Sequence, residues 1–211
     1  MESYLSEFYL LAMAHLVAVA SPGPDFAIIL RQSVTHGRAT AVWTSLGIGA
    51  GIFMHVAYTI MGVGFIVAQS HYLFQMIKYA GAFYLIFIGV GALRAQRTSV
   101  RIEKSEQNRL ETSARRAFQM GFLTNALNPK ATLFFLSLFS VIVSSTTPTV
   151  VQMAYGCYMA LFTALWFTLL SLLLGHDYVR QGFRRFGHWF ERVTGGVLLM
   201  LGLGLAFVDS K

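Results

Sequence analysis

The sequence is poor in charge, cysteine and proline, and each shortage excludes a class of protein. Only 12% of its 211 residues are charged, about half the share that is typical of a soluble globular domain. Four prolines are too few for a proline-rich disordered chain. A single cysteine, Cys157, excludes an internal disulfide, a Cys-x-x-Cys redox pair and a cysteine-rich zinc site. What remains is a chain in which 55% of the residues are hydrophobic.

The hydrophobic residues are gathered into six long runs. A helix needs about 20 apolar residues to cross a bilayer, and each run is about that long or longer. The sequence therefore predicts an all-α membrane protein with six transmembrane helices and a single transporter domain over 1–211. The runs lie near 5–30, 39–68, 72–93, 117–143, 149–174 and 189–208.

The basic residues are concentrated in alternate loops between these runs. Most of the 16 lysines and arginines lie in the first, third and fifth loops, above all in the hydrophilic loop 94–116. Short loops rich in Lys and Arg stay in the cytoplasm, so loop 94–116 is expected there and both termini outside. This bias accounts for the net charge of +7. No nucleic-acid partner is predicted, since the loop lacks interleaved aromatics and includes acids.

A proline motif recurs in the first and fourth runs, which indicates an internal repeat. Three-helix units in tandem enter the membrane in opposite directions, giving inverted repeats. We place repeat 1 at about 1–93 and repeat 2 at about 117–211. Aligning the motifs on their prolines makes three pairs: Gly23 with Asn128, Pro24 with Pro129 and Asp25 with Lys130.

Prolines inside a membrane helix predict that helices one and four are broken. Proline has no N–H and leaves the carbonyl four residues earlier without its helical partner. We therefore expect free carbonyls at Ala18, Ala20 and Asn125. A second half-helix would begin at each motif, with Pro24 or Pro129 in its first position and Gly23 or Asn128 as its cap. Its N-terminus attracts an anion and the free carbonyls attract a cation, so one break suits both ends of a zwitterion.

Asp25 and Lys130 turn the two breaks into a candidate binding site. A charge at the bilayer centre costs about 2.5–3.5 kcal/mol on insertion scales and usually faces a cavity or a partner. The two residues either form an ion pair that ties the repeats together or bind substrate, and Asp25 is also the candidate proton-coupling residue. The predicted substrate-binding residues are Ser21, Pro22, Gly23, Pro24, Asp25, Asn125, Asn128, Pro129 and Lys130.

Catalysis and cofactor binding are not predicted. The sequence has no Ser-His-Asp order, phosphate loop or zinc-protease motif, so we expect no enzyme and no cofactor. His15 and His55 lie in the first two runs without the close spacing of metal ligands, and no metal site is predicted. The roles of these two histidines are left open.

The proline motifs resemble the signatures of a transporter family. Residues 21–26, Ser-Pro-Gly-Pro-Asp-Phe, resemble the helix-one signature of the LysE/RhtB amino-acid exporters, and residues 125–131, Asn-Ala-Leu-Asn-Pro-Lys-Ala, resemble its helix-four signature. Residues 81–85 with Gly89 resemble its helix three. The resemblance covers the whole chain and implies a bacterial inner-membrane carrier that exports amino acids in exchange for protons. The threonine and homoserine branch, which also exports homoserine lactone, is most similar because Asp25 follows the Pro-Gly-Pro.

Alternatives to an amino-acid exporter remain at this point. One is a divalent-metal efflux carrier of the same superfamily, and another is a membrane subunit whose loop 94–116 docks a cytosolic partner. The predicted partners of an exporter are the amino acid, protons and the lipid bilayer, with a homodimer as an alternative to a monomer.

Overall fold

The chain is helical throughout the part that the structure describes. The computed structural model describes residues 2–21, 23–69, 71–94, 112–144, 146–174, 188–189, 192–193, 195–200 and 202–204, and none of these is in a strand. Seven helices are α1 Glu2–Ala20, α2 Pro24–Thr35, α3 Arg38–Gln69, α4 His71–Leu93, α5 Ala114–Ala126, α6 Pro129–Ile142 and α7 Thr149–Leu173.

The helices reproduce the first five apolar runs of the sequence. The first run folds as α1 and α2, and the fourth as α5 and α6. Of the sixth run, the structure describes an apolar helical segment at Gly195–Gly204. Most of the predicted loop 94–116 and Pro22 lie outside the described residues.

Two described helices are long and apolar enough to span a membrane by themselves. These spans are Arg38–Gly62 within α3 and Thr149–Leu173, which is α7. Helices α1 and α2 together make a third, bent by 50° at their junction. The chain is therefore an all-helical membrane protein, while the six-span arrangement stays a prediction.

Both proline motifs form the helix breaks that the sequence predicts. Gly23 is extended, with φ −177° and ψ −167°, and α2 begins at Pro24. Asn128 caps the second break, and α6 begins at Pro129. Proline is tolerated at this first helical position because that residue's N–H has no helical partner in any case.

Glycines on α3 bring it into backbone contact with its neighbours. A β-carbon added at Gly47 would collide with the carbonyl of Phe118, and one at Gly121 with the carbonyl of Thr44. One at Gly49 would lie 2.6 Å from the Ala164 β-carbon of α7. These contacts confirm the prediction that the α3 glycines form a helix-packing face. They fix α5, and with it the second break, against the long helix α3.

Candidate functional site

Residues from both breaks line one cavity. The cavity has about 640 Å³ of space between its walls, including its mouth, and α1, α3, α4, α6 and α7 contribute the rest of the lining. Pro129 is exposed and is not among the lining residues, and Pro22 lies outside the described residues. The predicted site residues that line the cavity are Ser21, Gly23, Pro24, Asp25, Asn125, Asn128 and Lys130.

Asp25 is held by the asparagines of the opposite break. Its Oδ2 accepts a hydrogen bond from Asn125 Nδ2 at 2.9 Å and a longer one from Asn128 Nδ2 at 3.5 Å. Asp25 Oδ1 and Asn125 Oδ1 are buried and have no hydrogen-bond partner in the described part of the chain. Two acceptor oxygens near one cavity therefore lack donors, an arrangement that favours a ligand with N–H groups.

Lys130 reaches in the reverse direction, from the second break to the first. Its Nζ donates to Ser21 Oγ at 2.8 Å. A β-carbon at Gly23 would lie 3.6 Å from the same nitrogen, so the lysine passes close to the backbone of the first break. Its charge is near enough to attract Asp25. The two breaks are thus joined by hydrogen bonds in both directions.

The local helices explain the position of Asp25 but not that of Lys130. A helix N-terminus carries partial positive charge, which attracts an acidic side chain in the first turn and repels a basic one. Asp25 lies in the first turn of α2 and is stabilised there. Lys130 lies in the first turn of α6, where it opposes the helix dipole. Helix stability therefore gives no reason for a lysine at this position.

The prediction of free carbonyls at the breaks is wrong for two of the three residues. The carbonyl of Ala18 accepts the N–H of Ser21 at 3.2 Å. That of Asn125 accepts the N–H of Asn128 at 2.8 Å and a hydrogen bond from His55 Nε2 at 2.9 Å. Turn geometry and a histidine from another helix supply the donors that proline removes, so these oxygens are not open to a cation.

The N-terminus of α6 is also partly occupied. Asn128 Oδ1 accepts the backbone N–H of Lys130 at 3.0 Å. The predicted anion site at this half-helix therefore has one donor fewer than the sequence suggested. The Lys130 ammonium is the group through which the second break can bind an anion.

His55 holds the second break in place. Because its Nε2 donates to the carbonyl of Asn125, its Nδ1 is the acceptor for the hydroxyl of Tyr58. Its ring stacks on Phe135, with centroids 5.3 Å apart and planes at 11°. His55 is buried, and sequence reasoning left its role open because its partner is 70 positions away.

His15 and Thr163 are cavity residues that the sequence prediction omitted. They come from α1 and α7 and lie on opposite sides of a hydrogen bond, with Nε2 and Oγ1 3.1 Å apart. A histidine within an apolar run is the only local signal of the first residue. A threonine in an apolar helix gives no comparable signal for the second.

A helical membrane protein with oppositely charged residues at one cavity between two helix breaks has the architecture of a membrane transporter. Comparison with known proteins makes the class specific. The sequence model of the family "LysE type translocator" matches residues 16–209. The chain belongs to this family, which confirms the resemblance drawn from the proline motifs.

Individual relatives match over nearly their whole length. The chain is similar to the "Threonine efflux protein" of Escherichia coli (strain K12), with 31% identity over 208 residues, 97% of this chain and 98% of that protein. It is 29% identical over 204 residues to the "Threonine efflux protein" of Salmonella typhi, covering 97% and 98%. It is 26% identical over 211 residues to the "Uncharacterized membrane protein YrhP" of Bacillus subtilis, covering 96% and 98%. No solved structure gives a significant match.

Proposed function

We propose that this chain is a secondary transporter of the bacterial inner membrane that exports small neutral amino acids in exchange for protons. Two relatives named for threonine efflux, aligned over nearly the whole chain, support amino-acid export. Threonine and homoserine, or amino acids of similar size, are the proposed substrates.

The charge balance of the cavity carries this proposal. Among its lining residues, Asp25 is the only acid and Lys130 the only lysine or arginine. A zwitterionic amino acid has one ammonium and one carboxylate, which match these two charges. In this arrangement the ammonium donates to Asp25 Oδ1 and Asn125 Oδ1, the acceptors without partners, and the carboxylate binds the Lys130 ammonium. A third charge on the substrate's side chain would find no counter-charge in the lining, so the proposed substrates are uncharged in the side chain.

Proton exchange follows from the same oxygen atoms. When the substrate leaves, the ammonium that neutralised Asp25 leaves with it. A proton on the carboxyl can take its place, because either partner removes the cost of an unneutralised charge within the membrane. Ammonium and proton then compete for Asp25, and competition at one site links export of the amino acid to entry of a proton.

Alternating access requires two units that move relative to each other, and we propose two inverted three-helix repeats within one domain, 1–211. Pro24 and Pro129 are 105 positions apart. Gly89 and Gly195, 106 positions apart, lie against each other's backbone. Their helices run antiparallel, since Gly202 meets Ala82. Equivalent residues of the two repeats thus face each other, as inverted repeats related by a pseudo-twofold axis predict.

The same offset relates the two longest helices. Gly49 of α3 lies against Ala160 and Ala164 of α7, and Gly156 of α7 lies against Val56 of α3. These antiparallel contacts centre on positions that are again about 105 residues apart along the chain. Two independent helix pairs therefore share the spacing of the proline motifs, which supports the repeat.

Divalent-metal efflux has less support from this cavity. A lysine ammonium in the lining repels a divalent cation, and the described residues contain no group of three His, Cys, Asp or Glu side chains placed to bind a metal. Docking through loop 94–116 and homodimer formation concern surfaces on which the cavity has no bearing.

Efflux from reconstituted vesicles tests the proposal. Proteoliposomes loaded with labelled L-threonine, L-lysine or Mn²⁺ are diluted into medium that is more acidic than the lumen. Threonine is expected to leave faster than from protein-free vesicles, to slow when a proton ionophore removes the gradient, and to leave faster than lysine or Mn²⁺. Equal efflux with and without protein for every amino acid, or protein-dependent efflux of Mn²⁺ alone, would contradict the proposal.

A further inference from the structure

The wall of the cavity holds a polar pair that amino-acid export, as proposed above, leaves without a role. His15 and Thr163 both line the cavity and are both buried, with 2% and 0% of their surfaces exposed. Their hydrogen bond uses the Nε2 nitrogen of the imidazole. The other ring nitrogen, Nδ1, is buried and has no hydrogen-bond partner in the described residues. A buried polar atom beside a binding cavity and without a partner is a candidate ligand-binding atom.

The imidazole ring of His15 is fixed in orientation by aromatic neighbours. Three rings meet it edge-on, those of Phe135 and Tyr158 at centroid distances of 6.3 Å and that of Phe162 at 5.9 Å. The hydrogen bond to Thr163 fixes the remaining rotation of the ring. A polar group held in this way can select among ligands, because it cannot turn to find another partner when the ligand lacks one.

A hydroxyl is the ligand group that suits His15 Nδ1 in either tautomer. If Thr163 donates to Nε2, Nδ1 carries the hydrogen and needs an acceptor, and if Nε2 donates to Thr163, Nδ1 needs a donor. A hydroxyl can act in either way. An ammonium can only donate and a carboxylate can only accept, and both already have partners at the breaks.

The distance from the charged end of the cavity suits a short side chain. His15 precedes the last residue of α1 by five positions, about 7.5 Å along the helix axis. Two hydrogen bonds of about 2.8 Å, together with the short link between an amino nitrogen and a hydroxyl on the β- or γ-carbon, cover roughly this distance. A hydroxyl much farther along the side chain would pass beyond the histidine.

We propose that His15 binds the side-chain hydroxyl of the exported amino acid and that Thr163 is the positioning residue that orients it. This inference rests on the proposed export of amino acids. It assigns to His15 and Thr163 the selection of hydroxylated side chains over apolar side chains of the same shape. Rejection of the apolar analogue follows because that ligand would bury Nδ1 without a partner.

Paired efflux of threonine and valine tests the inference, since valine replaces the hydroxyl of threonine with a methyl. Vesicles are loaded with equal amounts of the two, each with its own label, and the ratio of their efflux rates is measured. The wild type is expected to prefer threonine by about tenfold to a hundredfold. His15→Phe and Thr163→Val are expected to bring the ratio close to one by slowing threonine while valine efflux is kept.

A matched control separates selectivity from general damage. Thr59→Val makes the same change at a buried threonine of α3 that does not line the cavity, and the wild-type ratio is expected there. If the His15 variant does not fold, the isosteric Thr163→Val decides alone. A wild type that exports both amino acids at the same rate, or a Thr163→Val variant that keeps the wild-type ratio, would overturn the role of His15 and leave amino-acid export standing. A wild type that exports neither amino acid would overturn the proposed function and this inference with it.

Discussion

Asp25→Asn is expected to leave a folded protein in the membrane that no longer couples export to the proton gradient. Asparagine has the shape of aspartate, and its side-chain oxygen can still accept the hydrogen bond from Asn125 Nδ2 that Oδ2 accepts in the wild type. It carries no charge to neutralise, so neither a proton nor an ammonium is needed at this position. Imposing an acidic exterior on loaded vesicles should therefore produce no acceleration of threonine efflux, and the remaining efflux should be slow and downhill.

Glu7 provides the matched control for the loss of a carboxylate. It lies in α1 like the cavity residue His15, but its carboxylate bonds Ser144 and Thr147 beyond α6 and does not line the cavity. Glu7→Gln is expected to keep gradient-driven efflux. If Asp25→Asn vesicles respond to the acidic exterior as the wild type does, Asp25 is not the coupling residue.

Replacing both prolines of the first break is expected to abolish transport, whereas replacing the proline of the second break is not. In Pro22→Ala/Pro24→Ala both missing N–H groups are restored, so the ladder of hydrogen bonds can continue from α1 into α2. Each proline costs a continuous helix about 3 kcal/mol, and removing two makes the straight helix favourable. Gly23 offers no side-chain cap to oppose it. Straightening would withdraw Asp25 from the asparagines of the other break.

The second break differs because side chains hold it open. The cap from Asn128 to the N–H of Lys130 and the hydrogen bond from His55 to the carbonyl of Asn125 remain in Pro129→Ala. This variant should therefore export threonine at a rate comparable to the wild type. The comparison uses initial efflux rates normalised to the amount of folded protein. Loss of export in Pro129→Ala, or its survival in the double variant of the first break, would show that the prolines do not act through the helix ladder.

The breaks were predictable from the sequence because proline acts on its own neighbourhood. The positions of Pro24 and Pro129 fixed where α2 and α6 begin, and Gly23 and Asn128 were correctly expected as the preceding residues. That both motifs line one cavity also followed from their equivalence in the repeat. These inferences needed only local backbone chemistry and one internal alignment.

The partners of the breaks were not predictable, because they come from distant parts of the chain. The expectation of an open carbonyl at Asn125 failed because His55 reaches it from α3. His15 finds Thr163 at a separation of 148 positions. Helix packing sets which residues meet, and the single sequence carries no record of that packing beyond small residues such as Gly47 and Gly121.

The central claim is that Asp25 and Lys130 bind the two ends of one zwitterion, and competition by threonine analogues tests it most directly. Threonine amide lacks the carboxylate and N-acetylthreonine lacks the ammonium, while both keep the side chain. We predict that neither slows the efflux of labelled threonine from wild-type vesicles at a concentration at which unlabelled threonine does, and that Lys130→Met loses the preference for threonine over its amide. Competition by either analogue as strong as that of threonine would contradict the account, because the charge that the analogue lacks would then not be bound.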